Sequence, residues 1–121
     1  MLNTDEIYFR EDIERLTNYI RNEKDWADLS NIFIEKGFDL AEILLIAFHE
    51  DEEEMEYGVI VTKEKRVLQY SRLTEKGKNN IDNFNISDIT NDSEAKGDYP
   101  QIEIAFKMID DGLLYKWTCI R

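Results

Sequence analysis

The chain has 121 residues, of which 42% are apolar and 12% aromatic, and it carries a formal net charge of −12 at pH 7. This length and composition predict one domain over residues 1–121 and exclude a disordered tail. The negative charge repels phosphate backbones, so we expect no direct binding of nucleic acid. No apolar segment approaches the ~20 residues that a membrane-spanning helix requires, so we expect no membrane contact.

Two amphipathic helices are predicted near the N-terminus. The first starts with a capping-box pattern at Asn3 and Glu6 and continues with an apolar stripe of helical spacing. The members of that stripe are Phe9, Ile13, Leu16 and Ile20. Asp25 is placed to cap the second helix. Gly37 before Phe38 predicts the end of that helix, because glycine adopts the left-handed conformation readily.

Three strands are predicted in the middle of the chain. Residues 40–48 are almost entirely apolar and fit either a helix or a strand buried on both faces, and their short length and β-forming residues favour the strand. Residues 57–62 and 67–72 are predicted to form a hairpin around a four-residue polar turn, with Thr62 opposite Val67. Residues 40–48 are then the inner neighbour of this hairpin.

The C-terminal third contains a second predicted hairpin. Residues 73–99 are polar and are expected to form a surface excursion, with one short strand or helical turn near residues 84–89. Apolar and polar residues alternate from 102 to 108, and Asp111 followed by Gly112 is a strong hairpin signal. Its apolar face would comprise Ile104, Phe106, Met108, Tyr115, Trp117 and Cys119, with Lys107 opposite Lys116 on the other face.

These elements together predict an α+β fold. Two N-terminal helices would pack on one face of a mainly antiparallel sheet of about five strands.

Patterns that indicate catalysis are sparse. His49 is the only histidine, and beside the carboxylates that follow it the imidazole could act as a general acid or base, although no positioned nucleophile accompanies it. Cys119 is the single cysteine and alternates with apolar residues, which is typical of a buried thiol. We therefore expect a protein that is not an enzyme. The lone cysteine and the absence of an export signal predict a reducing, cytoplasmic location.

Metal and cofactor motifs are also lacking. Asp92, Glu94 and Glu103 have the spacing of a calcium loop, but Lys96 occupies a ligand position, where an oxygen is needed. No zinc or phosphate-binding motif is present, so we expect no cofactor and no metal.

Acidic charge is concentrated in one segment. Residues 37–62 contain eight acidic residues and no lysine or arginine, whereas residues 63–78 contain six basic residues and two acidic ones. Residues 50–54 are all acidic and fall between two predicted strands, so we predict that this acidic turn contacts a partner, with exposed tyrosines as anchors. The predicted partner-binding residues are Glu50, Asp51, Glu52, Glu53, Glu54, Glu56, Tyr57, Tyr70, Asp98 and Tyr99.

Several functions are compatible with these features. The small size, the clustered acids and the lack of catalytic motifs favour an inhibitor of the immunity or antitoxin type, which occludes a basic toxin or nuclease domain. The alternatives are a regulatory or adaptor domain, a nucleic-acid mimic that inhibits a DNA-binding protein, an enzyme based on His49, and an acidic turn that serves only solubility. The sequence leaves the oligomeric state open between monomer and dimer.

Overall fold

The computed structural model describes residues 4–51, 55–73 and 84–112. Within these ranges, four strands form one antiparallel sheet in the order β1-β2-β3-β4. The elements are helices α1 (Thr4–Asn22) and α2 (Ala27–Glu35), strands β1 (Ile43–Glu50), β2 (Met55–Thr62), β3 (Val67–Leu73) and β4 (Phe84–Asp88), and helices α3 (Ser93–Asp98) and α4 (Gln101–Asp110). The α+β prediction is confirmed, with four strands in the described residues where about five were expected.

Both N-terminal helices are present, and α2 ends as the sequence predicts. Gly37 has a φ of +94°, and the Phe38 amide donates to the Phe33 carbonyl at 3.0 Å. The Phe38 ring packs edge-on against the Phe33 ring, with 5.9 Å between centroids, which completes a Schellman end. The predicted cap at Asp25 is wrong, because Asp25 lies within a 3₁₀ turn (Lys24–Trp26) and Trp26 precedes the helix without a side-chain cap.

The apolar run forms strand β1, as favoured, after a 3₁₀ turn at Leu40–Glu42. β1 pairs with β2 but is an outer strand of the sheet, and α1 covers part of its free edge. Thr17 Oγ1 accepts a hydrogen bond from the Leu45 amide at 3.0 Å. The guanidinium of Arg21, which is 0% exposed, donates to backbone carbonyls of the β1 entry, including those of Leu40 and Ile43 at 2.8 and 3.1 Å. Backbone amide and carbonyl groups on the free edge of β1 would otherwise lack hydrogen-bond partners, and side chains of α1 supply these partners.

The β2–β3 hairpin is present, but the predicted register is wrong by one residue. Val61 pairs with Val67, and Gly58 pairs with Tyr70. The cause is the turn, in which Lys65 adopts a φ of +65° and its amide donates to the Thr62 carbonyl at 2.8 Å. This is a three-residue loop with a left-handed residue, where a four-residue loop was expected. The predicted register puts the side chains of Tyr70 and Val61 on the same face of the sheet. Because side chains alternate along a strand, the shift of one residue puts them on opposite faces.

The predicted C-terminal hairpin is wrong over its described half, since residues 101–110 form helix α4. Pro100 directly precedes the helix and Gly112 follows it with a φ of +77°, which is the usual placement of proline and glycine at helix ends. Ile102, Ala105 and Met108 recur every three residues and are buried. The expected partners at Tyr115, Lys116, Trp117 and Cys119 lie outside the described residues.

The sheet is buried on both faces, which explains the continuous apolar run in β1. The α2 face, formed by Ile43, Leu45, Ile60, Tyr70 and Phe84, packs against α2 and the C-terminal half of α1. The α4 face, formed by Leu44, Ile46, Val59, Val61 and Val67, packs against α4 and Ile13 of α1. Of the short strand or helical turn expected near residues 84–89, the structure shows the strand, β4. None of the helices in the described ranges is long and apolar enough to span a membrane.

Candidate functional site

A buried carboxylate lies at the end of the sheet next to the acidic turn. Glu56 on β2 is 3% exposed. Its Oε2 accepts hydrogen bonds from the Tyr70 hydroxyl at 3.0 Å and from Nε of Arg72 at 2.9 Å. Its Oε1 accepts a third from a terminal nitrogen of Arg72 at 3.1 Å. Two-point pairing of this kind is the strongest geometry available to a guanidinium and a carboxylate.

Tyr70 is also interior, which contradicts its expected role as an exposed anchor. It is 1% exposed, and its ring packs against the rings of Phe33 and Phe84 at centroid distances of 5.3 and 5.5 Å. Burial raises the pKa of the phenol well above its usual value, and the negative charge of Glu56, which accepts its proton in a hydrogen bond, raises that pKa further. Both Tyr70 and Glu56 therefore stabilise the fold and are not accessible to a partner.

Other acids of the 37–62 segment are also occupied within the protein. Glu42 forms an ion pair with Lys63 at 2.8 Å, and the Asp39 carboxylate accepts a hydrogen bond from the Ala41 amide at 2.9 Å. The Lys63–Glu42 and Arg72–Glu56 pairs show that this segment, which contains no lysine or arginine of its own, is partly neutralised by bases from outside it. The bases are Lys63 and Arg72, which follow the segment in sequence but meet its acids across the sheet.

The acidic turn itself connects β1 to β2, as predicted. The Asp51 amide donates to the Met55 carbonyl at 2.9 Å, and the Asp51 carboxylate accepts from the Met55 amide at 3.0 Å. Glu50 is exposed at the end of β1, directly opposite Glu56. The remaining acids of the turn, Glu52, Glu53 and Glu54, lie outside the described residues.

A pocket of about 280 Å³ opens beside Glu50 on the α2 face of the sheet. Its apolar wall contains Trp26 and Phe48, whose ring centroids are 4.7 Å apart, and Tyr19 continues this aromatic strip at 5.2 Å from Trp26. All three aromatic side chains are half-buried. The pocket is lined by Asp25, Trp26, Leu29, Phe48, Glu50, Glu56 and Arg72.

The polar lining of this α2-face pocket is negative. The charges of Arg72 and Glu56 compensate each other in their ion pair. Asp25 and Glu50 are exposed, and in the described part of the chain neither forms an ion pair. The pocket therefore presents two carboxylates beside an aromatic wall.

Five of the seven described lining residues were missed by the sequence reasoning: Asp25, Trp26, Leu29, Phe48 and Arg72. The sequence predicts Asp25 as the cap of the second helix and places Phe48 in a buried strand, and neither position indicates a site. The available signal was the adjacency of an acid and a tryptophan after the polar break at residues 21–24, and the position of Phe48 two residues before Glu50. Only the packing of α2 on the sheet brings these two places together.

The other predicted site residues lie elsewhere. Tyr57 is 36% exposed but points to the α4 face, where it lines a shallow depression of about 180 Å³ with Gln69 and Ser71. Asp98 is exposed at the end of α3, and Tyr99 is half-buried against the α4-face core. Neither of them lines the α2-face pocket.

Residues that suggested chemistry have ordinary surroundings. His49 is exposed on β1 and pairs across the sheet with Tyr57. The carboxylate of Asp92, the first residue of the calcium-like pattern, caps α3 by accepting from the Glu94 and Ala95 amides. No group of three or more histidine, cysteine or acidic residues in the described ranges is arranged to hold a metal ion.

Comparison of the chain with protein-family models, curated proteins and solved structures finds no match.

Proposed function

We propose that this protein is a small inhibitor of the immunity or antitoxin type, which binds and occludes a basic toxin or nuclease domain in the cytoplasm and is not itself an enzyme. The observation that carries the proposal is the end of the sheet where the acidic turn meets the α2-face pocket. There, the carboxylates of Asp25 and Glu50 stand beside the half-buried rings of Trp26 and Phe48 without a compensating base among the described residues.

The mechanism has two steps with different physical causes. The acidic turn, residues 50–54, attracts a basic partner over a distance of about one Debye length, ~8 Å at physiological salt, and so raises the rate of encounter. The aromatic strip then supplies apolar contact area, because tryptophan and tyrosine are the residues on which interfaces most often depend. The bound chain covers the partner's basic surface, which such a domain needs for phosphate binding.

The proposal is tested by capture from the source cell with a charge-matched control. We expect the immobilised protein to recover one basic protein in equal molar amount at low salt. A variant with residues 50–54 changed to the corresponding amides is expected to recover much less. The control carries five exposed acids elsewhere changed in the same way, at Glu11, Glu35, Glu64, Glu94 and Glu103, and we expect it to bind as the unmodified protein does.

The captured protein must also be inhibited. We expect its nuclease or toxic activity to fall to zero at one equivalent of this chain. Failure to recover a basic partner at either low or high salt counts against the proposal, as does a captured protein whose activity is unaffected.

The adaptor alternative would use the sheet edge at β4, which pairs with β3 and with no other described strand, but the residues of that edge count against it. The strand is short, and after Phe84 its residues are exposed and mostly polar: Asn85, Ile86, Ser87 and Asp88. Short polar edges of this kind discourage the addition of another strand. A partner whose affinity is unchanged by the five amide substitutions in the acidic turn would favour the adaptor function.

A further inference from the structure

We infer that the α2-face pocket receives the guanidinium group of a single arginine side chain from the basic partner. The inference rests on the proposed function for the origin of that side chain. The chemistry of the pocket is independent of it, and can be tested without knowing the partner.

The size of the pocket fits one side chain. Its volume of about 280 Å³ is below the range of about 300–1,000 Å³ that is typical of sites for drug-sized ligands. It lies between the start of α2 and the end of the β1–β2 hairpin, at the root of the acidic turn. A side chain that projects from a partner held by this turn is therefore close to its entrance.

The walls of the pocket suit a flat cation. The Trp26 and Phe48 rings, 4.7 Å apart and inclined by 49°, offer aromatic surface to one side of the ligand. A guanidinium is planar and weakly hydrated and stacks on such surface more favourably than an ammonium does. Leu29 adds apolar area for the aliphatic part of the side chain. The described part of the chain already contains a contact of this type, because the Arg15 guanidinium lies 5.8 Å from the centre of the Tyr19 ring.

The charges of the pocket select a cation. Asp25 and Glu50 supply two carboxylates, one from the turn before α2 and the other from the end of β1. A guanidinium has enough donors to bind both of them. Arg72, the cation among the described lining residues, has Nε and a terminal nitrogen engaged by Glu56. Its charge is therefore already compensated.

The experiment titrates the isotope-labelled full chain with Nα-acetyl-arginine amide and follows the indole N–H signal of Trp26 by NMR. The chain has two tryptophans, so a Trp117→Phe variant identifies the signal. Nα-acetyl-citrulline amide is the uncharged isostere, and Nα-acetyl-lysine amide tests selection of the guanidinium. All probes are used up to about 0.1 M at matched ionic strength, because isolated ion pairs in water are weak. The amide spectrum of each variant reports that it is folded.

We expect a saturable shift of the Trp26 signal with the arginine probe, weaker binding of the lysine probe and no response to citrulline. Changing Asp25→Asn and Glu50→Gln together should weaken arginine binding about fivefold, which is the scale of two lost exposed ion pairs. The control variant Glu35→Gln with Glu64→Gln removes the same charge at exposed positions outside the pocket, and its affinity should be unchanged.

Three results overturn the inference: no saturable shift at Trp26, equal binding of lysine and arginine, or unchanged affinity in the Asp25 and Glu50 variant. None of them bears on whether a basic partner exists. Conversely, the lack of a stoichiometric partner in the capture experiment removes the proposed function and leaves arginine binding by the pocket as a property of the protein.

Discussion

Glu50 and Glu56 face each other across β1 and β2, yet their surroundings differ completely. Glu50 is exposed, whereas Glu56 is buried and bound by Tyr70 and Arg72. The sequence places both in one acidic segment and could not separate them, because Arg72 is 16 residues away along the chain. Only the strand register, which the turn at Lys65 determines, shows that the Arg72 side chain meets Glu56.

This difference predicts unequal effects on stability. Glu56→Ala leaves the Arg72 charge and the Tyr70 hydroxyl without their buried acceptor, so we expect a loss of about 3 kcal/mol in the free energy of unfolding. Glu50→Ala should change the free energy of unfolding by no more than about 0.5 kcal/mol, as exposed substitutions usually do. Urea denaturation of the two variants measures both values. Similar losses in the two would contradict the buried ion pair.

The phenol of Tyr70 predicts how stability changes at alkaline pH. Its pKa in the folded protein is raised by burial and by Glu56, so above the unfolded value, about 10, only the unfolded chain releases this proton. The contribution of Tyr70 to the free energy of unfolding is therefore complete below about pH 10. It is lost by about 1.4 kcal/mol per pH unit as the pH rises towards the pKa of Tyr70 in the folded protein.

Tyr70→Phe should remove this part of the pH dependence. We expect the unfolding free energy of the variant to fall less steeply above about pH 10 than that of the unmodified protein, by the slope of one proton. Tyr8→Phe is the matched control, since Tyr8 is largely exposed and folding changes its surroundings little. Denaturant titrations at several alkaline pH values give the slopes. Identical slopes for the unmodified protein and Tyr70→Phe would refute the raised pKa of the Tyr70 phenol.

At the level of elements, the pairing of Gly58 with Tyr70 fixes how β2 and β3 meet. A Cβ atom added to Gly58 would lie 2.2 Å from a carbon of the Tyr70 ring, well inside contact distance. The ring cannot retreat easily, because Phe33 and Phe84 hold it and Glu56 binds its hydroxyl. Glycine is therefore required at this position of the strand for space.

We expect Gly58→Ala to reduce the free energy of unfolding by about 3 kcal/mol, the upper end of the usual cost of overpacking a core. Gly97→Ala is the control, because a Cβ atom there meets nothing within 4 Å and the residue lies in α3. Alanine in a helix should leave stability unchanged or raise it by up to about 1 kcal/mol. Thermal or urea unfolding distinguishes the two, and a mild effect at Gly58 would contradict the register.

Local sequence patterns predicted α1 and α2 from apolar spacing and end signals, β1 from its short length and β-forming residues, and the existence of the β2–β3 hairpin from two apolar segments around a polar turn. They failed for α4. Its apolar residues alternate as in a strand, but Ala105 is also buried, so the pattern fits a helix with apolar residues on much of its surface. Pro100 and Gly112 indicate the helix better than the apolar alternation does, because proline and glycine commonly stand at the start and end of a helix.

For the whole molecule, the position of the candidate site at the acidic turn could be predicted from charge alone, but most of its composition could not. Tyr70 and Glu56 belong to the interior, whereas Asp25 and Trp26 join the site from the 3₁₀ turn before α2. Such a site requires contact between a helix start and a sheet end that are more than twenty residues apart in sequence. The composition gives the sign of the surface charge, whereas tertiary packing determines which side chains form the site.

We propose that the end of the molecule at the acidic turn recognises a basic protein by electrostatic attraction. The most direct test is the association rate constant of the purified partner, measured by stopped-flow mixing over ionic strengths of about 0.05 to 0.5 M. We predict a rate that falls about tenfold or more across this range for the unmodified protein and for the control with five distant amides. The variant with amides at residues 50–54 should associate slowly at every ionic strength. Equal rates and equal salt dependence for all three proteins would contradict the account.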